Sequence, residues 1–160
     1  MIRPVKESDA KAIADIYNYY VTNTVITFEE DRVSTEAMAD RIRTISSTYP
    51  YLVFEESGNI KGYAYVSVWN KRSAYRYTAE VTIYLDNNCI EQGIGSRLFD
   101  SLLQEVRKTS LHVLVSLITL PNEPSIRLHE KFNFHKNAHY KEVGKKFGRW
   151  LDVGSWELLL

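Results

Sequence analysis

Between Ala79 and Leu120 the hydrophobic period changes twice, and that change leaves few folds open. Ala79, Val81, Ile83 and Leu85 alternate with Glu80, Thr82 and Tyr84, which reads as a strand with aliphatic residues on one face and a carboxylate on the other. Gly93 and Gly95 follow in a short loop. Ile94, Leu98, Leu102 and Val106 then recur every four residues, as one face of a helix does, and Leu111 to Leu120 is a nearly continuous apolar run suited to a buried strand. Strand, glycine loop, helix and buried strand make a βαβ unit, whose two strands must run parallel.

The flanking segments extend the same sheet. Ile2 to Val5 predicts a first strand, and Ser8 is placed to cap a helix whose apolar stripe is Ile13, Ile16, Tyr17 and Tyr20. Thr22 to Glu30 breaks that period and predicts a loop carrying Phe28, before a second helix from the Ser34 cap to about Ser47. Tyr51–Glu56 and Ile60–Trp69 flank Ser57-Gly58-Asn59 and read as a hairpin. Asn122, with Glu123 and Pro124 behind it, predicts a capped helix to Phe132, with Asn133 just past its end in the left-handed conformation. Phe134–Val143 and Trp150–Leu158 bracket Gly144-Lys145-Lys146-Phe147-Gly148 as a closing hairpin. The expectation is one domain over residues 1–160, an α/β sandwich of a central mixed sheet with helices on both faces.

Composition narrows the function classes. Lys plus Arg and Asp plus Glu number 20 each in 160 residues, and no basic stripe or acidic tail points to nucleic acid or a membrane surface. Cys89 is the single cysteine, so no internal disulfide framework exists, and no Cys/His cluster has the spacing of metal ligands. Without an apolar leader or a spanning run, the expectation is a soluble, cytoplasmic protein that needs no metal.

Glu91-Gln92-Gly93-Ile94-Gly95-Ser96 lies where strand gives way to helix. Glycines let backbone approach a ligand, and the amides at a helix start attract anions, so a pyrophosphate fits; a tight strand-to-helix turn fits as well. No Gly-Lys-Ser/Thr follows, and Leu98 stands where a full dinucleotide fingerprint needs glycine. Lys71, Arg72, Tyr75 and Arg76 form a cationic, aromatic segment ahead of the Glu80 strand. Arg offers a bidentate fork for a carboxylate or similar oxyanion, whereas a solvated connecting loop is the plainer alternative. Phe28 is either an apolar pocket wall or a core aromatic.

Two motifs in order, Leu85 to Leu98 and Pro121-Asn122-Glu123-Pro124-Ser125-Ile126-Arg127-Leu128-His129-Glu130-Lys131-Phe132-Asn133-Phe134, resemble the GNAT acetyltransferase superfamily. Trp69 to Arg76 with Thr78-x-Glu80, and the tail Lys146 to Gly154, resemble its phosphinothricin/methionine sulfoximine N-acetyltransferases, so the likeness spans nearly the whole chain. The resemblance implies a GNAT fold and acetyl-CoA as cosubstrate. It implies direct transfer, in a ternary complex, to the amine of phosphinothricin, methionine sulfoximine, methionine sulfone or a similar small molecule, with herbicide or antibiotic resistance as a main or side activity. A homodimer is expected on the same ground. Glu91, Gln92, Gly93, Ile94, Gly95 and Ser96 would hold the CoA pyrophosphate through their amides; Ile83, Tyr84 and Leu85 would run beside the pantetheine in a gap between splayed strands; Asn122 would contact the cofactor. The sequence departs from the superfamily at Ile90, usually Gln or Arg, and at Asn133, usually Gly.

Acetyl transfer needs a base because a free amine is protonated at neutral pH, and the resemblance places a catalytic glutamate at Glu80. On residue type alone a paired surface glutamate would be preferred. His129 stands where the superfamily often has a tyrosine that protonates the departing thiolate; a packed, hydrogen-bonded histidine is the alternative. Lys71, Arg72, Tyr75, Phe28, Val81 and Thr82 are the expected acceptor contacts. Two rival readings stand beside this one: a GNAT enzyme for another amine or for a protein, and a non-catalytic acyl-CoA-binding sensor.

Overall fold

The computed structural model describes residues 1–90 and 92–160. Among them are seven strands, β1 (Ile2–Pro4), β2 (Tyr51–Glu56), β3 (Asn59–Val68), β4 (Thr78–Leu85), β5 (Val113–Thr119), β6 (His135–Lys146) and β7 (Arg149–Leu159), hydrogen-bonded in the order β1-β2-β3-β4-β5-β7-β6. Four helices accompany them: α1 (Ala10–Asn23), α2 (Thr35–Ser46), α3 (Ile94–Val106) and α4 (Glu123–Lys131). The sheet is mixed, with β4 and β5 parallel and the pairs β1–β2, β2–β3, β5–β7 and β6–β7 antiparallel. The chain forms two compact units, the first from Met1–Tyr19, Val33–Ser67 and Val81–Ser110, the second from Tyr20–Arg32, Val68–Glu80 and Leu111–Leu160.

In the first unit, α3 follows from its sequence period: Ile94, Leu98, Leu102 and Val106 are all at or below 3% exposure. Each such side chain removed from water contributes roughly 1.5–3 kcal/mol before entropy is counted, so this stripe alone dictates which face of α3 turns inward. Ser34 caps α2 as expected, its hydroxyl accepting from the Ala37 amide at 3.0 Å. The expected Ser8 cap is not used. Glu7–Asp9 form a 3-10 turn ahead of α1, and the Asp9 carboxylate reaches back to the Lys6 amide at 2.8 Å. Asp9 wins because Arg3 holds it with two further bonds, at 2.8 and 2.9 Å. Helix α1 runs to Asn23, so Thr22, expected in a loop, is helical. The β2–β3 hairpin turns on Ser57 and Gly58, both with positive φ, a geometry that matches the twist of its strands.

In the second unit, β4 pairs with β5 in parallel register, Thr78 with Val113, Ala79 with Leu114 and Glu80 with Val115. Helix α4 is capped by Asn122, whose side chain accepts from the Ser125 amide at 3.3 Å, and Asn133 takes the left-handed conformation at φ 66°. The closing hairpin is tighter than its sequence indicates. Its turn is Phe147-Gly148, and Gly144 to Lys146 belong to β6, which absorbs a bulge between Tyr140 and Gly144. Trp156 and Phe134 anchor the interior, the indole nitrogen donating to Glu130 at 3.1 Å.

Candidate active site

Within the first unit the glycine motif opens α3. Gly93 is the N-cap of α3 in the left-handed conformation (φ 73°), and it carries no side chain to satisfy the amides behind it. Helix geometry supplies no intrahelical acceptor for the amides of Gly93, Ile94 and Gly95. Gly95, expected in the loop, is buried in the first turn of α3. Arg97, missed in the sequence, projects from this same turn with its guanidinium 5.0 Å from the Phe54 ring centroid. A cation at a helix N-terminus is unfavourable by itself and becomes favourable once an anion sits there. Gln92 is exposed and Ser96 half-buried; Glu91 lies outside the described residues. Unpaired backbone amides at a helix start suit an anion such as a pyrophosphate.

Ile83, Tyr84 and Leu85 are half-buried at the end of β4. Tyr84 packs edge-on against Tyr17 at 5.2 Å and beside the buried Tyr63 at 5.7 Å, which holds the strand end rigidly. Gly62 of β3 is the second residue missed in the sequence. A Cβ there would come within 2.5 Å of Leu85 Cδ2 and 3.1 Å of the Tyr84 carbonyl, so glycine is what allows this close approach. Val81, an expected acceptor contact, is 4% exposed, so its side chain is core and its main chain alone is available; Thr82 is half-buried. Cys89 is buried.

Within the second unit, Glu80 is half-buried on β4, and burial pushes its carboxyl above the usual carboxylate range. His129 is 2% exposed on α4. Its Nδ1 lies 2.7 Å from the Ser125 carbonyl, an acceptor only, so Nδ1 carries the ring proton and Nε2 accepts from the Ser116 hydroxyl at 2.9 Å. Burial lowers its pKa, with the Ser125 bond opposing the shift, and the imidazole is neutral. The register does not bring Glu80 and His129 together. Glu80 shares a face of the sheet with its partner Val115, whereas Ser116, the next residue of β5, points to the opposite face, where it meets His129.

Lys71, Arg72 and Tyr75 are exposed around a 3-10 turn, Ser73–Tyr75, held by the Asn70 side chain on the Arg72 amide at 3.0 Å. Arg76 is engaged with the Ser73 carbonyl and the Tyr77 ring, whereas Lys71 and Arg72 form no ion pair among the described residues. Phe28 is 39% exposed, its ring lying on Gly144. Asn122 is half-buried at the start of α4. Elsewhere, a hollow of about 560 Å³ in the first unit contains none of these residues. Among its charges Arg3 pairs with Asp9 at 2.8 Å and with Glu55 at 2.6 Å, and Lys61 with Asp86 at 4.0 Å. Among the described residues no His, Cys, Asp or Glu group of three or more converges as a metal site would, and no helix is long and apolar enough to cross a membrane.

The acetyltransferase (GNAT) domain family model matches residues 2–154. The phosphinothricin N-acetyltransferase of Streptomyces viridochromogenes is 34% identical over 156 residues, covering 98% of this chain and 85% of the relative. The L-methionine sulfoximine/L-methionine sulfone acetyltransferase of Salmonella typhimurium is 36% identical over 163 residues, covering 99% and 94%. The crystal structure of a phosphinothricin acetyltransferase from Sinorhizobium meliloti in complex with acetyl-CoA superimposes with a TM-score of 0.96 at 34% identity, covering 100% of this chain and 88% of that one.

Proposed function

The chain belongs to the GNAT acetyltransferase family, and from that premise we propose that it transfers an acetyl group to the amine of a small amino-acid-like acceptor, of the class of phosphinothricin, methionine sulfoximine and methionine sulfone. The observation that carries this reading is the segment Lys71–Glu80, where Lys71 and Arg72, exposed and without an ion pair among the described residues, lead into a half-buried carboxylate. An acceptor that is both an acid and an amine needs both, and a simple amine needs only the second.

In this reading Arg72 receives the acceptor's carboxylate or phosphinate in its planar fork, with Lys71 as a second charge and Tyr75 and Phe28 flanking. The Val81 main chain and the Thr82 side chain sit one and two residues past the base. Glu80 takes the proton of the acceptor's ammonium, directly or through a water. Its raised pKa suits that task, because a better base narrows the gap to the ammonium. His129 is neutral, its one ring proton is committed to Ser125, and it lies on the face of the sheet away from Glu80; its role is to hold Ser116 and α4 in place.

Acetyl-CoA supplies the activated acetyl group. The amides of residues 92–96, with Arg97, would hold its pyrophosphate, Ile83–Leu85 its pantetheine, and Asn122 a further contact. Cys89 is buried and plays no part as a nucleophile. We also read the chain as one functional domain, cytoplasmic, and a homodimer. The exposed Tyr140, Val143, Phe147 and Trp150 of the β6–β7 hairpin support self-association, which light scattering would check.

The test is free-thiol release from acetyl-CoA with phosphinothricin, methionine sulfoximine, methionine sulfone, ordinary amino acids and a polyamine as separate acceptors. Turnover confined to acceptors bearing both an acid and an amine is expected. Polyamine turnover, or none at all while acetyl-CoA still binds, would sink the amino-acid reading and leave another amine or a sensor role.

A further inference from the structure

Lys146 closes β6 with 2% of its surface exposed, a position lysines rarely occupy without a task. Its Nζ donates to the Thr27 carbonyl at 2.8 Å. Burial lowers its pKa, while Glu30 and Glu29 on the same loop act to keep it charged. Two residues earlier, on the same face of the strand, stands Gly144. The Phe28 ring lies on its Cα; a Cβ there would come within 2.5 Å of Phe28 Cζ and 2.8 Å of Cδ2. Thus β6 grips two consecutive loop residues, Thr27 by its carbonyl and Phe28 by its ring.

The gripped loop is also shaped from within. Thr24 donates from its hydroxyl to the Tyr20 carbonyl at 2.8 Å and accepts from the Ile26 amide at 3.1 Å, and Thr27 Oγ1 accepts from the Glu29 amide at 3.3 Å. Despite these restraints Phe28 keeps 39% of its surface exposed. A large ring fixed on one face and open on the other is built as a wall; a core aromatic would be covered on both.

We propose that Lys146 and Gly144 are specificity-positioning residues, which fix the height of the Phe28 wall and so set how bulky an acceptor side chain the enzyme admits. This rests on the reading of Phe28 as an acceptor contact. Neither residue touches the reacting groups; each acts through Phe28. Binding geometry is sensitive to displacements of about 1 Å, which can cost up to about 100-fold, so small shifts of the ring suffice.

The experiment compares Lys146→Met, Lys146→Arg, Gly144→Ala and Phe28→Ala in the full chain, with kcat and KM measured for acetyl-CoA and for a small and a bulky acceptor that the wild type uses. Lys146→Met and Gly144→Ala should raise acceptor KM roughly tenfold and alter the preference between the two acceptors, leaving kcat and the acetyl-CoA KM within about twofold. Lys146→Arg should restore much of the loss, because it keeps a buried cationic donor. If Phe28→Ala moves acceptor KM and the Lys146 and Gly144 variants do not, this inference falls and the Phe28 reading stands. Should Phe28→Ala leave acceptor KM unchanged, both fall. Gly144→Ala decides if Lys146→Met fails to fold. Amide exchange over residues 24–30 gives an answer without turnover: faster exchange in Lys146→Met is expected, and unchanged exchange overturns the clamp.

Discussion

Glu80 and His129 lie on opposite faces of the β4–β5 ladder, because Glu80 pairs with Val115 and His129 bonds the next residue, Ser116. Glu80, expected as the base, and His129, expected as catalytic or packed, are thereby separated, and each makes its own prediction.

Glu80→Gln should lower kcat by roughly 100-fold or more, the usual contribution of a positioned base, and remove the acid limb of the pH–rate profile. The same variant should not lose stability. A carboxyl whose folded pKa is raised binds its proton more readily folded than unfolded, so its charge penalises the fold at neutral pH, and the neutral amide removes that penalty. A melting curve and a rate profile measured together test this; a variant that melts lower and keeps its rate would make Glu80 a structural residue.

For His129 the folded pKa is lowered, so below the ordinary histidine value the unfolded chain takes up a proton that the folded one refuses. Stability is therefore unaffected above about pH 6.5 and falls as pH drops below it, until the lowered folded pKa is reached. His129→Gln should melt lower at pH 8 yet lose less on going from pH 7 to 5 than the wild type does. Its kcat should stay within about tenfold if it acts through packing alone; a drop of the size seen in a missing general acid would support the catalytic reading.

Gly62→Ala tests the end of β4. The added methyl meets Leu85 and the Tyr84 carbonyl, and displacing that strand end should raise the KM for acetyl-CoA with little change in the KM for the acceptor. Equal effects on both, or none, would mean that Ile83–Leu85 do not line the pantetheine.

Removing the fork at Arg72 with Arg72→Met should raise acceptor KM by about tenfold or more, the worth of one charge-assisted pair, and Arg72→Lys should recover it only in part. Acceptors lacking an acid group should show no difference between wild type and variant. An identical loss with such acceptors would show that Arg72 does not read the acid.

What was legible in the chain was whatever local period and chemistry decide. The stripe of α3, the alternation of β4 as far as Val81, the Ser34 and Asn122 caps and the left-handed Asn133 all follow from spacing or from one residue's backbone preference. The misread details were contests between local options. The start fell at Lys6 and not Ser8 because Asp9, oriented by Arg3 six residues away, accepts from the Lys6 amide, and the Gly144–Gly148 turn shrank to Phe147-Gly148 as a β6 bulge took up the extra length.

The sequence by itself determined most element types and the family, because these rest on short-range patterns. Tertiary structure alone decided that Glu80 and His129 face apart, that Gly62 must lack a side chain where Leu85 approaches, and that Lys146 is buried against Thr27. Register and burial arise between segments as far apart as Thr27 and Lys146. A one-residue shift in pairing would turn every side chain to the other face; the alternation of a strand names its inward face but not the residue it pairs with.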